Sequence, residues 1–366
     1  MERINRCLRD NRDTCIMLII PIAILAKFIE HVVLPEKYFY DSQRMLGMMI
    51  DKDYSAAWEG SYRTTVEIFS KFDFFHFTTL LQWSIVVGII FNIIVIIMMK
   101  GSKGMDLWQC IFALMCIGLG NIYIFNLGKD IIQFTLFLVC FVATNIRNIP
   151  NIVKVIMCAL VFYWESTFFR SYYIIIAFFI IAIYMIFKIA RMRKSKLSVV
   201  KIFMTIILLY ALVYLFLNAA KVLMPNDYQE ILICKEDSTQ LGASSVIDDK
   251  IDFGQNVNLY MANYIINSLR MVLPIELINE GVFYLPFLLF QVMLLYYIVV
   301  NIKNMHAITE KNVIALSCFL AYFMGSVLFE PDFGSFARHE AATFPVILLF
   351  AIDNDAILGV NVQNRS

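Results

Sequence analysis

Charged residues are scarce in this chain: they make up 16% of its 366 residues, whereas 60% are hydrophobic. Soluble domains contain about 25% charged and about 45–50% apolar residues, so this composition excludes an ordinary soluble domain. The net charge of +1 gives no electrostatic support to a nucleic-acid partner. We therefore expect an integral membrane protein whose partners include the lipid bilayer and no nucleic acid.

Familiar catalytic motifs are also absent. The sequence has no G-x-x-x-x-G-K-[ST], H-E-x-x-H or G-x-S-x-G, which removes the obvious NTPase, zinc-protease and serine-hydrolase hypotheses. It has no C-x-x-C pair, and five of its eight cysteines sit inside apolar runs, where cysteine is usually a small buried hydrophobe. These five are Cys110, Cys116, Cys140, Cys158 and Cys318. We predict no metal site and no cofactor.

Ten apolar segments approach the roughly 20 residues that a helix needs to cross a bilayer. They cover 15–35, 77–99, 107–126, 131–146, 151–167, 172–190, 198–220, 282–302, 313–329 and 341–358. The first follows a basic start but precedes no small-residue cleavage site, so we interpret it as a retained helix, not a signal peptide. The predicted fold is all-α: one integral membrane domain, 1–366, forming a polytopic transmembrane helical bundle of about ten helices.

Positive charge predicts the orientation, because Lys and Arg favour cytoplasmic loops. With both termini inside, the inner segments hold the four arginines within residues 1–14 and the basic cluster 191–196. This density favours an N-in/C-in topology. Two long loops, 36–76 and 221–281, then lie outside. The second half of the larger loop mixes apolar residues with Asn and Arg, which is typical of an amphipathic helix in the interface.

Ionisable residues crowd the loops predicted on the outer side. The candidate site residues are Asp41, Arg44, Lys129, Asp130, Arg170, Arg270, Glu330, Asp332, Arg338 and His339. Positive charge there opposes the orientation rule, and ionisable groups near membrane depth normally face a partner or a cavity. One explanation is local ion pairing of Lys129 with Asp130, and of Arg338 with Glu330 or Asp332. For the segment 330–340 we favour a functional site.

The residue types in these loops suit a phosphorylated substrate. Arginine offers a planar fork of donors that matches phosphate oxygens and keeps its charge. Several cations at one membrane cavity would bind a lipid-linked pyrophosphate and stabilise its charge as it departs. An acid or histidine beside them can take the proton of an attacking sugar hydroxyl. Glu330, Asp332 and His339 are the candidate catalytic residues for that role, and the other seven are candidate substrate-binding residues.

These segments resemble a known family. Lys129-Asp130, Phe169-Arg170 and the run from Phe329 to His339 are similar to pieces of the Wzy-type and EpsG-like bacterial polysaccharide polymerases, which assemble capsule, O-antigen or exopolysaccharide. The layout of about ten helices with a long outer loop is also similar over most of the chain. As a motif match, the resemblance is confined to those short segments.

The resemblance implies a reaction and a location. Such polymerases are metal-independent membrane glycosyltransferases of the bacterial plasma membrane. They transfer a growing glycan from an undecaprenyl pyrophosphate carrier onto the next lipid-linked oligosaccharide repeat unit at the outer face. Carried onto this sequence, Arg170 and Arg338 would bind pyrophosphate. The flippase and the chain-length regulator of the same pathway are candidate partners.

Two other classes of function remain open at this stage. An O-antigen ligase or another lipid-sugar glycosyltransferase would use the same outer-face chemistry. A transporter, such as a flippase for lipid-linked sugars, should carry ionisable or helix-breaking residues near the middle of several spans. The middle of the predicted spans is almost purely apolar here, which favours an enzyme.

Overall fold

The computed structural model describes residues 11–35, 39–52, 60–102, 104–192, 197–225, 228–229, 231–232, 245–252, 254, 256–279, 281 and 284–352. Some predictions fall outside the described residues. They concern the arginines within residues 1–10, the basic residues at 193–196 and the end of the tenth apolar segment at 353–358.

The described residues form helices and, apart from one isolated bridge, no β-structure. In chain order the helices are α1 (Arg12–Phe28, continued as a π-helix over Ile29–Val33), α2 (Tyr40–Asp51), α3 (Ser61–Phe72), α4 (Leu80–Lys100), α5 (Leu107–Tyr123), α6 (Asp130–Asn145), α7 (Asn151–Ser166), α8 (Tyr173–Arg191), α9 (Val199–Leu223), α10 (Val257–Val272), α11 (Leu285–Lys303), α12 (Glu310–Phe329), α13 (Phe333–Ala341) and α14 (Phe344–Ile347, continued as a π-helix over Leu348–Ile352). A short 3-10 helix, Ile275–Ile278, follows α10.

Six of the described helices are long and apolar enough to cross a membrane: α1 with its π-helical turn, α4, α8, α9, α11 and α12. Helices α13 and α14 meet at a bend of 57° and make a seventh if they are counted as one broken span. Helices α5 and α6 are apolar but shorter. The prediction of an all-α chain with several membrane-length helices is confirmed. The count of about ten spans and the N-in/C-in orientation stay predictions.

Side-chain caps fix where two of the helices begin. Thr79 accepts from the backbone N–H of Gln82, whose side chain accepts from the N–H of Thr79, and α4 starts there. Asp106 and Gln109 form the same reciprocal pair at the start of α5. Each pair satisfies N–H groups that the first turn of a helix leaves without partners.

Helix α12 is the centre of the bundle. Within its 18-residue apolar window, 94% of the residues are buried. It packs closely on α8 at Gly325, where an added Cβ would lie 2.9 Å from Cγ1 of Ile176. A larger residue here would require the Ile176 side chain to move, so glycine allows the two helices to pack closely. The five cysteines named above are free and buried, which confirms that prediction.

The turns 124–129, 167–172 and 330–332 connect helix ends that meet at one end of the bundle, which we call the site end. The turns 146–150 and 304–309 lie at the opposite end, together with residues 101–102 and 104–106. There the backbone N–H of Asn11 donates to the carbonyl of Met105 at 3.0 Å, and Arg191 pairs with Glu310 at 2.5 Å.

Part of the large loop 221–281 folds back over the site end. Residues 245–252, which we call the strap, form the isolated bridge between Val246 and Asp332. The N–H of Ile247 donates to the carbonyl of Pro331 at 2.8 Å, and the side chain of Asn263 on α10 bonds the backbone of Ile251. Helix α10 falls where the amphipathic helix was predicted. Its buried face packs on protein, and the Tyr264 hydroxyl donates to the carbonyl of Met324.

Candidate functional site

The site is assembled from turns that are far apart in the sequence. Lys129 and Asp130 stand at the start of α6, and Arg170 lies in the turn between α7 and α8. Arg338 and His339 lie on α13, directly after the segment between α12 and α13. Helices α2 and α3 of the first loop bring further groups against them. The structure thus brings together most of the residues that the sequence singled out.

Asp41 is the centre of a cationic cluster. Its Oδ2 lies 3.2 Å from Nζ of Lys129 and 3.6 Å from Nη1 of Arg338. Its Oδ1 accepts a hydrogen bond of 2.6 Å from the Tyr62 hydroxyl. Burial alone would raise the pKa of Asp41, but Lys129, Arg338 and the Tyr62 hydroxyl outweigh it, so this pKa lies below its usual value. Asp41 is therefore a carboxylate held between two cations.

Lys129 is almost enclosed by this cluster. Its Nζ donates to the Tyr62 hydroxyl at 3.2 Å and lies 4.5 Å from the centre of that ring. Burial lowers the pKa of Lys129, and the nearby Arg170 and Arg338 lower it further, while Asp41 and Asp130 oppose the shift. Lys129 is therefore a largely enclosed cation whose charge is balanced by Asp41 and Asp130.

His339 lies between two carboxylates. Its Nδ1 pairs with Oε1 of Glu330, and its Nε2 lies 3.3 Å from Oδ1 of Asp130. All three side chains are buried. Only the imidazolium carries an N–H on both ring nitrogens, so two facing carboxylates favour the charged ring. This arrangement ties the start of α6, the end of α12 and the middle of α13 together.

Arg170 lies beside Glu330 of the same group. Its Nη1 donates to the hydroxyls of Tyr172 at 2.7 Å and Tyr173 at 3.4 Å. It is near enough to Glu330 for the two charges to attract each other, and together with His339 it holds the pKa of Glu330 below its usual value against the effect of burial. Arg170 is therefore a second cationic edge of the site.

Asp332 has a structural partner of its own. Its carboxylate accepts from the backbone N–H of Ser335 at 2.8 Å and caps α13. Burial raises the pKa of Asp332, and the neighbouring Glu330 adds to this, while the Ser335 N–H and Arg338 oppose it. The carboxyl therefore binds a proton more readily than an ordinary aspartate.

The last two predicted residues lie in different surroundings. The guanidinium of Arg44 lies 5.7 Å from the Tyr62 ring, at the edge of the cationic cluster. Arg270 instead binds the strap: its Nη2 pairs with Asp248 at 3.0 Å, and its Nε donates to Glu276 at 3.0 Å. Its guanidinium also lies 5.9 Å from the centre of the Phe333 ring at the start of α13. Arg270 therefore positions the loop beside the site.

Tyr62 was not predicted from the sequence. It is buried on the inner face of α3, where its hydroxyl links Asp41 and Lys129. The only signal for it is the amphipathic pattern of residues 61–72, which marks a buried face but not its chemistry. The contact of the strap with Asp332 was also missed, because a single bridge leaves no pattern in the sequence.

Little space remains between these groups. A cleft of about 10 Å³, bordered by Asp41, Lys129, Asp130 and Arg338, lies at the cluster. A cavity needs about 10–15 Å³ to hold one water molecule, so the cluster is closed on itself. The cleft has no room for an anion beside Asp41.

Comparison of this chain with protein-family models, curated proteins and solved structures finds no match.

Proposed function

We propose that this protein polymerises undecaprenyl-pyrophosphate-linked oligosaccharide repeat units during the synthesis of a bacterial surface polysaccharide, as the Wzy-type and EpsG-like polymerases do. The supporting observation is the convergence of Lys129, Arg170 and Arg338 with buried acids and a histidine at one end of an apolar helical bundle. These three cations come from three separate parts of the chain and would together form an anion site. A membrane-embedded bundle suits an anion that carries a lipid.

Pyrophosphate would bind where Asp41 now lies. The phosphate oxygens would take over Nζ of Lys129 and the guanidinium of Arg338, which Asp41 occupies at 3.2 and 3.6 Å. Arginine presents a fork of donors to phosphate, and lysine adds a compact charge. In a site with little water these charges stabilise the negative charge that grows on the departing pyrophosphate.

The reaction is a glycosyl transfer. A hydroxyl of the acceptor repeat unit attacks the anomeric carbon of the donor glycan. A glycosidic bond forms, the bond from that carbon to the pyrophosphate oxygen breaks, and undecaprenyl pyrophosphate leaves with the electron pair. The proton of the hydroxyl goes to a group of the protein or to water.

The three candidate bases differ in how readily they take up a proton. A general base works best when its pKa is close to the working pH. The pKa of Asp332 is shifted upward, whereas that of Glu330 is shifted downward. His339 faces a carboxylate at each ring nitrogen. These shifts favour Asp332 as the first base to test, with Glu330 and His339 as the alternatives.

The topology belongs to the same proposal. Ten helical segments with both termini inside put the site end at the outer face of the plasma membrane, where the repeat units are presented. The lipid-linked oligosaccharide and the bilayer are then direct partners. The flippase that delivers the repeat unit and a regulator of chain length are indirect ones.

The test is to replace Arg338, and separately Arg170, with Ala in the native host. Polymer length and lipid-linked repeat units are then measured together. A polymerase site predicts short or absent polymer, with single repeat units accumulating on the outer leaflet. Arg63→Ala is the matched control, because Arg63 is 63% exposed on the neighbouring α3 and pairs only with the exposed Glu67 among the described residues.

Other outcomes separate the alternatives. Normal long polymer in both variants, at wild-type protein levels, would contradict the site. Accumulation of repeat units on the inner leaflet would indicate a flippase. Normal polymer that is no longer attached to its final acceptor would indicate a ligase.

A further inference from the structure

A second cavity lies beside the cationic cluster. Its volume is about 180 Å³, and it lies between the π-helical turn of α1, the start of α2 and the start of α4. The lining residues are Glu30, His31, Leu34, Phe39, Ser42, Gln43, Leu80 and Asn126. Phe39, Ser42 and Asn126 also border the cleft at Lys129 and Arg338, so the two spaces are neighbours.

The charged wall of this cavity is held rigidly. Glu30 is 3% exposed, and its Oε2 accepts from Nζ of Lys27 at 2.7 Å and from the Ser84 hydroxyl at 2.8 Å. Its Oε1 accepts from the side chain of Asn126 at 3.3 Å. Lys27 in turn donates to the carbonyl of Asn121 at 2.7 Å. Such a satisfied network keeps the carboxylate in one position and balances its charge.

The backbone of α1 widens at this point. Ile29–Val33 forms a π-helical turn, which contains both Glu30 and His31. Turns of this kind are rare and occur frequently at functional sites, because they re-aim side chains at a cost in helix stability.

The size and chemistry of the cavity define its ligand. A cavity of about 150 Å³ can hold benzene, so this space of about 180 Å³ fits a single six-membered ring. Its side chains offer donors and acceptors from an amide, a hydroxyl, an imidazole and a carboxylate, which suits a ring that carries several hydroxyls. Phe39, Leu34 and Leu80 provide apolar surface for the C–H face of such a ring.

The charged side chains at this cavity disfavour an anionic or a cationic ligand. Lys27 already donates to Glu30 and to two backbone carbonyls. His31, the basic side chain in the lining, also faces Glu30, with Nε2 3.7 Å from Oε2. An anion would therefore have to compete with Glu30 for both. The ion pair with Lys27 also balances the charge of Glu30, so Glu30 does not favour a cationic ligand. The cavity therefore favours a neutral ligand, and its polar side chains suit a ring that carries hydroxyls.

We propose that this cavity binds one sugar ring of the lipid-linked substrate while its pyrophosphate occupies the adjacent cationic cluster; this inference rests on the proposed function. The two spaces share Ser42 and Asn126 on their border, so a ring in one would lie next to a phosphate in the other. The cavity is then the site where the enzyme distinguishes a glycosylated carrier from the bare carrier.

The test compares two ligands on purified protein in lipid nanodiscs. The probes are undecaprenyl pyrophosphate and the lipid-linked repeat unit extracted from the host. Leu34→Trp narrows the cavity, and Leu34→Ile is the matched control that keeps its volume. We expect wild-type protein and the control to prefer the glycosylated carrier. Leu34→Trp should bind the bare carrier normally and bind the glycosylated carrier about tenfold more weakly.

A second variant tests the same cavity in case Leu34→Trp does not fold. Gln43 is exposed on α2, so Gln43→Ala should fold and lower the preference for the glycosylated carrier several-fold. If both variants keep the wild-type preference, the cavity does not bind the sugar, and the proposed function survives. If wild-type protein binds neither carrier, the proposed function fails and this inference fails with it.

Discussion

Lys129 and Arg338 share a single oxygen atom, Oδ2 of Asp41, at 3.2 and 3.6 Å. Two cations from different helices converge on one carboxylate oxygen, while the Tyr62 hydroxyl binds the other oxygen at 2.6 Å. A phosphate oxygen has the same charge and accepts the same donors. If the cluster binds a phosphate, as we propose, Asp41 occupies the position of one of its oxygens and competes with it.

This competition gives a prediction for Asp41→Asn. The amide keeps the shape of the side chain but no longer pairs with the two cations, so inorganic pyrophosphate should bind more tightly than to the wild type. The loss of charge-assisted contacts should lower the free energy of unfolding by about 1–3 kcal/mol. Titration calorimetry and denaturant unfolding in nanodiscs measure both effects. Weaker pyrophosphate binding by a folded variant would show that Asp41 helps to bind the anion.

Asp332→Asn separates the two roles of that residue. Asparagine caps a helix as well as aspartate does, so α13 should keep its start and the protein its stability to within about 0.5 kcal/mol. The amide cannot take up a proton, so polymer synthesis should fall by about 10²-fold or more if Asp332 is the general base. The rate is measured with extracted repeat units. If Asp332→Asn works at the wild-type rate, Asp332 is not the general base, and Glu330 and His339 remain as candidates.

The histidine between two acids predicts a coupled pair of variants. His339→Gln leaves Glu330 and Asp130 facing each other without a cation between them, which should cost about 3–5 kcal/mol of stability. Adding Glu330→Gln removes one of the two facing charges and should recover part of that loss. Thermal unfolding of the two single variants and the double variant gives the coupling energy. Additive losses would contradict a charge interaction between these residues.

Acid should weaken the cationic cluster in a defined range of pH. Because the pKa of folded Asp41 lies below the usual 3.8, its ionisation stabilises the fold at pH values above that value. The stabilisation is lost as the pH falls below about 4 and through the lowered pKa of the folded state. The stability difference between wild type and Asp41→Asn should therefore be constant from pH 7 to about 5 and shrink at lower pH. A constant difference down to pH 3 would contradict the lowered pKa.

Much of the framework follows from local sequence signals. The apolar segments 77–99 and 107–126 correspond to α4 and α5, and the Thr79 and Asp106 caps place their first turns. Charge beside apolar helices is costly and needs a partner, and this identifies Lys129, Arg170 and Arg338 as candidate site residues. Such signals involve residues that are close in the sequence. They show which residues need a partner, but they do not show which distant residue that partner is.

The contacts themselves depended on tertiary structure. Local pairing would match Lys129 with Asp130 and Arg338 with Glu330 or Asp332, but the ion pairs that form lead to Asp41, about 90 and 300 residues away in the chain. Arg270 was grouped with the substrate-binding residues on its charge alone, whereas its partners Asp248 and Glu276 belong to its own loop. Tyr62 was missed because only the packing of α3 brings its hydroxyl to the cluster.

The near-complete burial of α12 has a consequence for how the protein is made. Lipid can surround the other long helices as they leave the translocation machinery. Helix α12 is surrounded by protein in the folded chain, and its mean hydropathy of 1.9 is the lowest of the six. It is also synthesised after most of its neighbours. Membrane insertion of α12 should therefore depend on earlier helices that are already in the membrane and still accessible to it. Truncations that remove α8 should leave α12 poorly inserted.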